Sequence, residues 1–75
     1  MYVNVQFRNR KTGEFSGHAY SFVCNIAGIA EGDVVIAPTA YGDSEAKIVA
    51  ANVPESMIDA HIFPLLKEIT QRKEA

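Results

Sequence analysis

The sequence predicts a mainly β fold, a small five-stranded, partly open β-barrel with at most one short helical turn. Three observations carry this expectation. Tyr2 to Arg8 and Tyr20 to Cys24 alternate their side chains with period 2, as half-buried strands do. Short runs of this kind recur at about 10-residue spacing with glycine turns between them, which is the pattern of small barrels and sandwiches. The central stretch Glu31-Gly32-Asp33-Val34-Val35-Ile36-Ala37-Pro38 reads as a turn, an apolar strand and a proline stop. The loop Thr39-Ala40-Tyr41-Gly42-Asp43 then reverses the chain.

The elements follow in order. In the first strand Val3, Val5 and Phe7 point one way and Tyr2, Asn4, Gln6 and Arg8 the other. Asn9 to Glu14 is polar, and Gly13 supplies the positive φ of a hairpin loop. The second strand spans Phe15 to Cys24. Tyr20, Phe22 and Cys24 share a face with His18, while Ala19, Ser21 and Val23 take the other, and Gly17 marks a bulge. Asn25 to Ala30 is too short for an independent helix and is expected to cross the barrel end with Ile26 or Ile29 tucked beneath it. Val34 to Ala37 forms the third strand. Pro38 has no N–H to donate, so it ends the pairing or sits on an edge. The fourth strand runs from about Ser44 to Val53, with Ile48 and Ala50 alternating with Lys47, Val49 and Ala51.

The C-terminal third has two readings. Ile58, Ile62, Leu65, Leu66 and Ile69 fit a helical stripe, but Pro64 falls inside it and would break a helix running straight through, although a helix could start at Pro64. The alternative is a helical turn over Glu55 to Asp59, an extended Ala60 to Pro64 and a fifth strand over Leu65 to Gln71. The strand is preferred, because four strands leave two open edges that a fifth closes. Gln71 to Ala75 is expected to fray.

Size and composition bound the function. The 75 residues make one domain, residues 1–75, and a chain this short buries only roughly 60% of its unfolded surface. With 48% hydrophobic and 21% charged residues it is globular. No apolar run is long enough to span a membrane, and no basic region precedes an apolar stretch at the N-terminus, so neither a membrane span nor a signal peptide is expected. The single Cys24 has no disulfide partner within the chain, which fits a reducing cytoplasm. A net charge of −2 gives no overall basic field for nucleic acid. Arg8, Arg10 and Lys11 form a local cluster, and Lys67, Arg72 and Lys73 lie near the end.

No catalytic constellation emerges. Cys24, His18 and His61 lack metal-ligand spacing, and His18 and Cys24 stand roughly 20 Å apart on an extended strand. There is no nucleophile elbow. Asp33, Asp43 and Glu45 fall in turns, where acids serve local hydrogen bonding. Gly28, Gly32 and Gly42 do not make a phosphate loop. No enzyme activity, cofactor or metal is expected. A barrel of this size offers instead an outer groove between loops, where aromatics stack on bases and cations hold phosphates. Tyr2, Tyr20 and Tyr41 are the aromatic candidates. Tyr41 leads, because it sits in a glycine loop where no core demands it.

The order of elements, with Tyr2-Val3-Asn4-Val5, Tyr20-Ser21-Phe22, Gly32-Asp33-Val34-Val35-Ile36-Ala37-Pro38, the Gly42 loop, Ala46-Lys47-Ile48-Val49 and Leu66-Lys67-Glu68-Ile69, resembles the N-terminal DNA-binding domain of the primosomal helicase PriA. It is similar also to short phage and prophage proteins with the same G-D-x-V-x-x-P core. The resemblance covers about Tyr2 to Thr70. It implies a small barrel that captures the 3′ end of a DNA strand, in a pocket made by an aromatic-Asp-aromatic strand, the glycine loop after the proline and a lysine on the last strand. At matching positions this chain has Tyr20, Ser21, Gly42 and Lys67. Ser21 stands where the family has the acid assigned to the terminal hydroxyl; a serine hydrogen-bonds there but brings no charge.

Two functions compete. One is a non-catalytic module for single-stranded DNA or replication, using Tyr20, Ser21, Tyr41, Gly42 and Lys67, with Arg8, Arg10 and Lys11 as auxiliary phosphate contacts. The other is a protein-interaction barrel, with a free sheet edge or the apolar Ile58-Ile62-Phe63-Leu65 segment meeting a partner or a second copy in a homodimer.

Overall fold

The computed structural model describes residues 1–40 and 42–73. Alternating sequence becomes one antiparallel-rich sheet. β1 is Tyr2–Phe7, β2 Tyr20–Cys24, β3 Val34–Thr39 and β4 Gly42–Ala50; two 3-10 turns follow, Glu55–Met57 and Phe63–Leu65, and then β5, Glu68–Ile69, and β6, Gln71–Arg72. The strand order is β5-β2-β1-β4-β3-β6.

The two outermost strands are one segment broken at Thr70. β5 pairs parallel with β2, Val23 opposite Glu68 and Cys24 opposite Ile69. β6 pairs antiparallel with β3, Val35 opposite Arg72 and Ile36 opposite Gln71. The chain therefore steps across the gap between the two edges of a four-stranded sheet and curls that sheet into a small barrel. The fifth strand expected over Leu65 to Gln71 is this segment in part: Leu65 ends the second 3-10 turn, pairing begins only at Glu68, and the strand counts as two because it changes partner midway. A bulge helps the curl: the β1–β4 register slips between Asn4 and Val5, which face Ala50 and Ile48, so Val49 is the extra residue.

The inward face holds the core. Val3, Val5, Cys24, Val35, Ala37, Ala46, Ile48 and Ile69 are fully buried, with Phe22 and Ile29 nearly so. The period-2 parity of β1 and β2 sets this assignment, and Ile29 plugs the barrel end from the Asn25–Ala30 crossing, as its sequence suggests.

Several boundaries differ from expectation. Phe15 does not begin β2; it makes a single bridge to Arg8, and the strand starts at Tyr20. Gly17, with φ of +89°, turns the chain between the two. Pro38 does not end the pairing, for it stands opposite Asp43 inside β3. β6 reaches only Val35 and Ile36, so the side of Pro38 that lacks a donor faces no strand. Ala60 to Pro64 is not extended; it turns and enters the second 3-10 turn, where Pro64 takes a first-turn position that needs no N–H. Phe63 anchors that turn edge-on against Tyr2, with ring centroids 5.6 Å apart. Gln71 and Arg72 pair instead of fraying, and the Lys73 N–H donates to the Val34 carbonyl at 3.0 Å.

Candidate binding groove

The C-terminal segment fills only part of the gap between β2 and β3. Its pairing with β2 covers Val23 and Cys24, and its pairing with β3 covers Val35 and Ile36. Beyond those residues the two edges stay apart, because the chain ahead of β5 is a 3-10 turn, which has no ladder to offer. A groove of about 440 Å³ opens there. Tyr20, Ser21 and Phe22 wall it from β2, Pro38, Thr39 and Ala40 from the end of β3, and Ile62, Leu65, Leu66 and Lys67 from the segment before β5, with Phe7 of β1 also lining it.

The aromatic side is ordered. Tyr20 is 50% exposed, and its ring lies 5.6 Å from Phe7 and 4.8 Å from His18 by centroids; Phe7 in turn meets Phe22 edge-on at 6.1 Å. Phe22 thus belongs to the core while Tyr20, two residues nearer the barrel mouth, shows half its surface. Ser21 is held differently. Its hydroxyl donates to Asn4 Oδ1 at 2.8 Å across the β1–β2 ladder. Lys67 sits one residue ahead of β5, not on the last strand itself; its carbonyl accepts from the Val23 N–H at 3.0 Å, and its exposed ammonium makes no ion pair among the described residues.

Three of the residues singled out from the sequence therefore converge: Tyr20, Ser21 and Lys67. Gly42 is close in the chain but not on the wall. With φ of +109° it lets a two-residue link between Thr39 and Gly42 close the β3–β4 hairpin, and Thr39 donates its hydroxyl to the Gly42 carbonyl. Tyr41 lies outside the described residues. Phe7, Pro38 and Leu66 were not anticipated as walls. The Ile62–Leu65 run was visible as an apolar segment in search of a partner, but its place beside β2 depends on where the 3-10 turn falls.

The basic cluster goes elsewhere. Arg8 and Arg10 line a separate depression of about 360 Å³ with Ser44, Glu45 and Lys73. Arg8 Nη2 pairs with Glu45 at 2.9 Å and its guanidinium lies 4.6 Å from the Phe15 ring centroid. Lys73 pairs with the same carboxylate. Lys11 stays in the exposed loop, where its main-chain N–H caps onto Asn9 Oδ1 at 2.8 Å. The hydrogen bond from Lys73 lowers the Glu45 pKa below its ordinary 4.5; the charges of Lys73 and Arg8 add to this, and desolvation opposes it. Because the folded value is the lower one, the contribution is fully present above the unfolded pKa and is lost as pH falls through the folded value. Thermal unfolding of the Glu45→Gln variant is expected to lose part of the native chain's acid sensitivity below about pH 4.5. An identical fall in melting temperature with acid for both chains would remove Glu45 from the account.

Among the described residues no group of three His, Cys, Asp or Glu side chains is placed to hold a metal ion, Cys24 is a buried free thiol, and no helix is long and apolar enough to cross a membrane. No protein family, curated protein or solved structure matches the chain.

Proposed function

We propose that this chain is a small non-catalytic binding module whose groove takes the end of a single DNA strand, in a replication-associated or phage-like setting in the cytoplasm. The observation that carries the reading is the convergence of Lys67 with Tyr20 and Ser21, which lie far from it in sequence, at the unfilled part of the barrel seam. The half-exposed Tyr20 ring offers a stacking surface for a base. Lys67 stands at the same groove to meet a phosphate. A space of about 440 Å³ is in the range of small-ligand pockets, so it has room for a terminal nucleotide. The resemblance to the PriA end-capturing domain supports the same choice.

A net charge of −2 means that affinity comes from stacking and one local cation, not from a basic field. Anisotropy titration of a labelled single strand at low salt is expected to show binding in the micromolar range. Lys67→Ala should weaken it about 3- to 10-fold and lower the salt slope by about 1, as for a lost phosphate contact. No binding at tens of micromolar, or indifference to Lys67→Ala, would remove the reading.

A second reading rests on a different observation. Met57 and Leu65 are 75% and 73% exposed and Ile62 37%, and Ile62 and Leu65 share the apolar wall of the groove. A protein partner or a second copy would cover it. Sedimentation across a wide concentration range separates the cases, since a strict monomer throughout rules out the second copy.

A further inference from the structure

The charges of the groove bear on which kind of strand end it takes, given that it is a strand-end site at all. Among the described residues that line it, Lys67 is the one ionised side chain, and no carboxylate is on the wall. The charged or titratable neighbours, His18 against Tyr20, Asp43 opposite Pro38 and Glu68 after Lys67, do not line it. Ser21 contributes through its backbone. The Val23 N–H points toward the C-terminal segment, donating to Lys67 O. Alternation along a strand then turns the Ser21 N–H to the same side of β2. There the pairing with β5 has not begun, and the segment ahead of β5 lines the groove through Ile62, Leu65, Leu66 and Lys67. The Ser21 hydroxyl is already given to Asn4.

An ammonium and a main-chain N–H at one rim are two donors with no acid beside them. That set matches a dianion with several acceptor oxygens better than a neutral hydroxyl. A phosphomonoester carries about −1.5 to −2 charges at pH 7 and three strong acceptor oxygens. We infer that the groove prefers a single-strand end bearing a terminal phosphomonoester over the same end with a free hydroxyl, with Lys67 Nζ and the Ser21 N–H as its donors. The inference rests on the strand-end reading above and adds the chemistry of the end. It also gives the serine at position 21 a consequence, because a carboxylate there would place a negative charge beside that phosphate.

The test compares short oligothymidylates with hydroxyls at both ends, with a 3′-phosphate and with a 5′-phosphate, each labelled away from the end under test, against the full chain at low salt. One phosphorylated strand is expected to bind about 3- to 10-fold tighter than the hydroxyl strand. Lys67→Gln should erase that difference, and added salt should shrink it. Equal affinity for all three strands, or a preference that survives Lys67→Gln, overturns the inference and leaves strand-end binding standing. Binding of no strand at tens of micromolar overturns both. Inorganic phosphate and thymidine monophosphate serve as competitors. Displacement by millimolar phosphate alone, with no contribution from the strand, assigns the site to free phosphate and overturns the strand end as its source.

Discussion

Ile69→Ala is expected to lower the unfolding free energy by about 2–5 kcal/mol, enough to leave much of the chain unfolded at room temperature. Ile69 is fully buried. It is also the buried residue of the segment that spans the seam, one position before the chain leaves β2 for β3. The two ladders it sits between are only two residues long each, so their backbone bonds alone do not hold the segment. Core packing does, through a side chain that meets the inner faces of the sheet. Domains of this size rarely have more than about 3–5 kcal/mol of stability to lose. Leu65→Ala is the matched control: Leu65 is 73% exposed, and its loss should change stability by no more than about 0.5 kcal/mol. Urea unfolding followed by circular dichroism reads both. Equal midpoints for Ile69→Ala and the native chain would mean that the C-terminal segment does not close the barrel.

Tyr20→Ala should weaken single-strand binding by about 1–3 kcal/mol, roughly 5- to 150-fold, as expected for a lost base-stacking platform. The ring is half exposed and contacts Phe7 and His18, so the fold should tolerate its removal better than that of Phe22, which is 7% exposed. Tyr20→Phe keeps the face of the ring and should keep most of the affinity. The pair is informative because a purely structural role for Tyr20 predicts a lowered melting temperature in step with weaker binding, whereas a stacking role predicts weaker binding at a nearly unchanged one. Unaltered affinity for Tyr20→Ala would place the strand elsewhere on the molecule.

The fold was legible where a physical rule acts on neighbouring residues. Val3 and Val5, and Phe22 and Cys24, are inside because alternate residues of a strand share a face, and that parity is written in the chain. Pro38 and the glycine loop marked the hairpin; of the two readings of the proline, an end to pairing or an edge position, the edge position holds, since β3 continues to Thr39 and β6 does not reach Pro38. The C-terminal third was less legible, since its conformation is set by tertiary contacts. Phe63 turns because it packs on Tyr2, and Thr70 marks a break because β2 and β3 stand apart there; neither fact is local. The groove was half legible for the same reason. Tyr20 and Lys67 could be named singly, but the unfilled length of seam that joins them exists only once the barrel has closed. The basic cluster shows the converse. Arg8, Arg10 and Lys11 read as phosphate contacts by their charge, yet Arg8 faces Glu45 across the β1–β4 side of the barrel, and the Arg8–Arg10 depression is not the groove.

In the proposed function the open part of the seam between β2 and β3 receives the end of a single strand. Amide chemical-shift mapping during titration with a short single-stranded oligonucleotide tests it most directly. The largest shifts are expected to cluster at Tyr20, Ser21 and Phe22, at Thr39 and Ala40, and at Leu66 and Lys67, with the Asn9–Glu14 loop little affected. Shifts centred on Arg8, Arg10 and Lys73, or spread evenly over the surface, would contradict it.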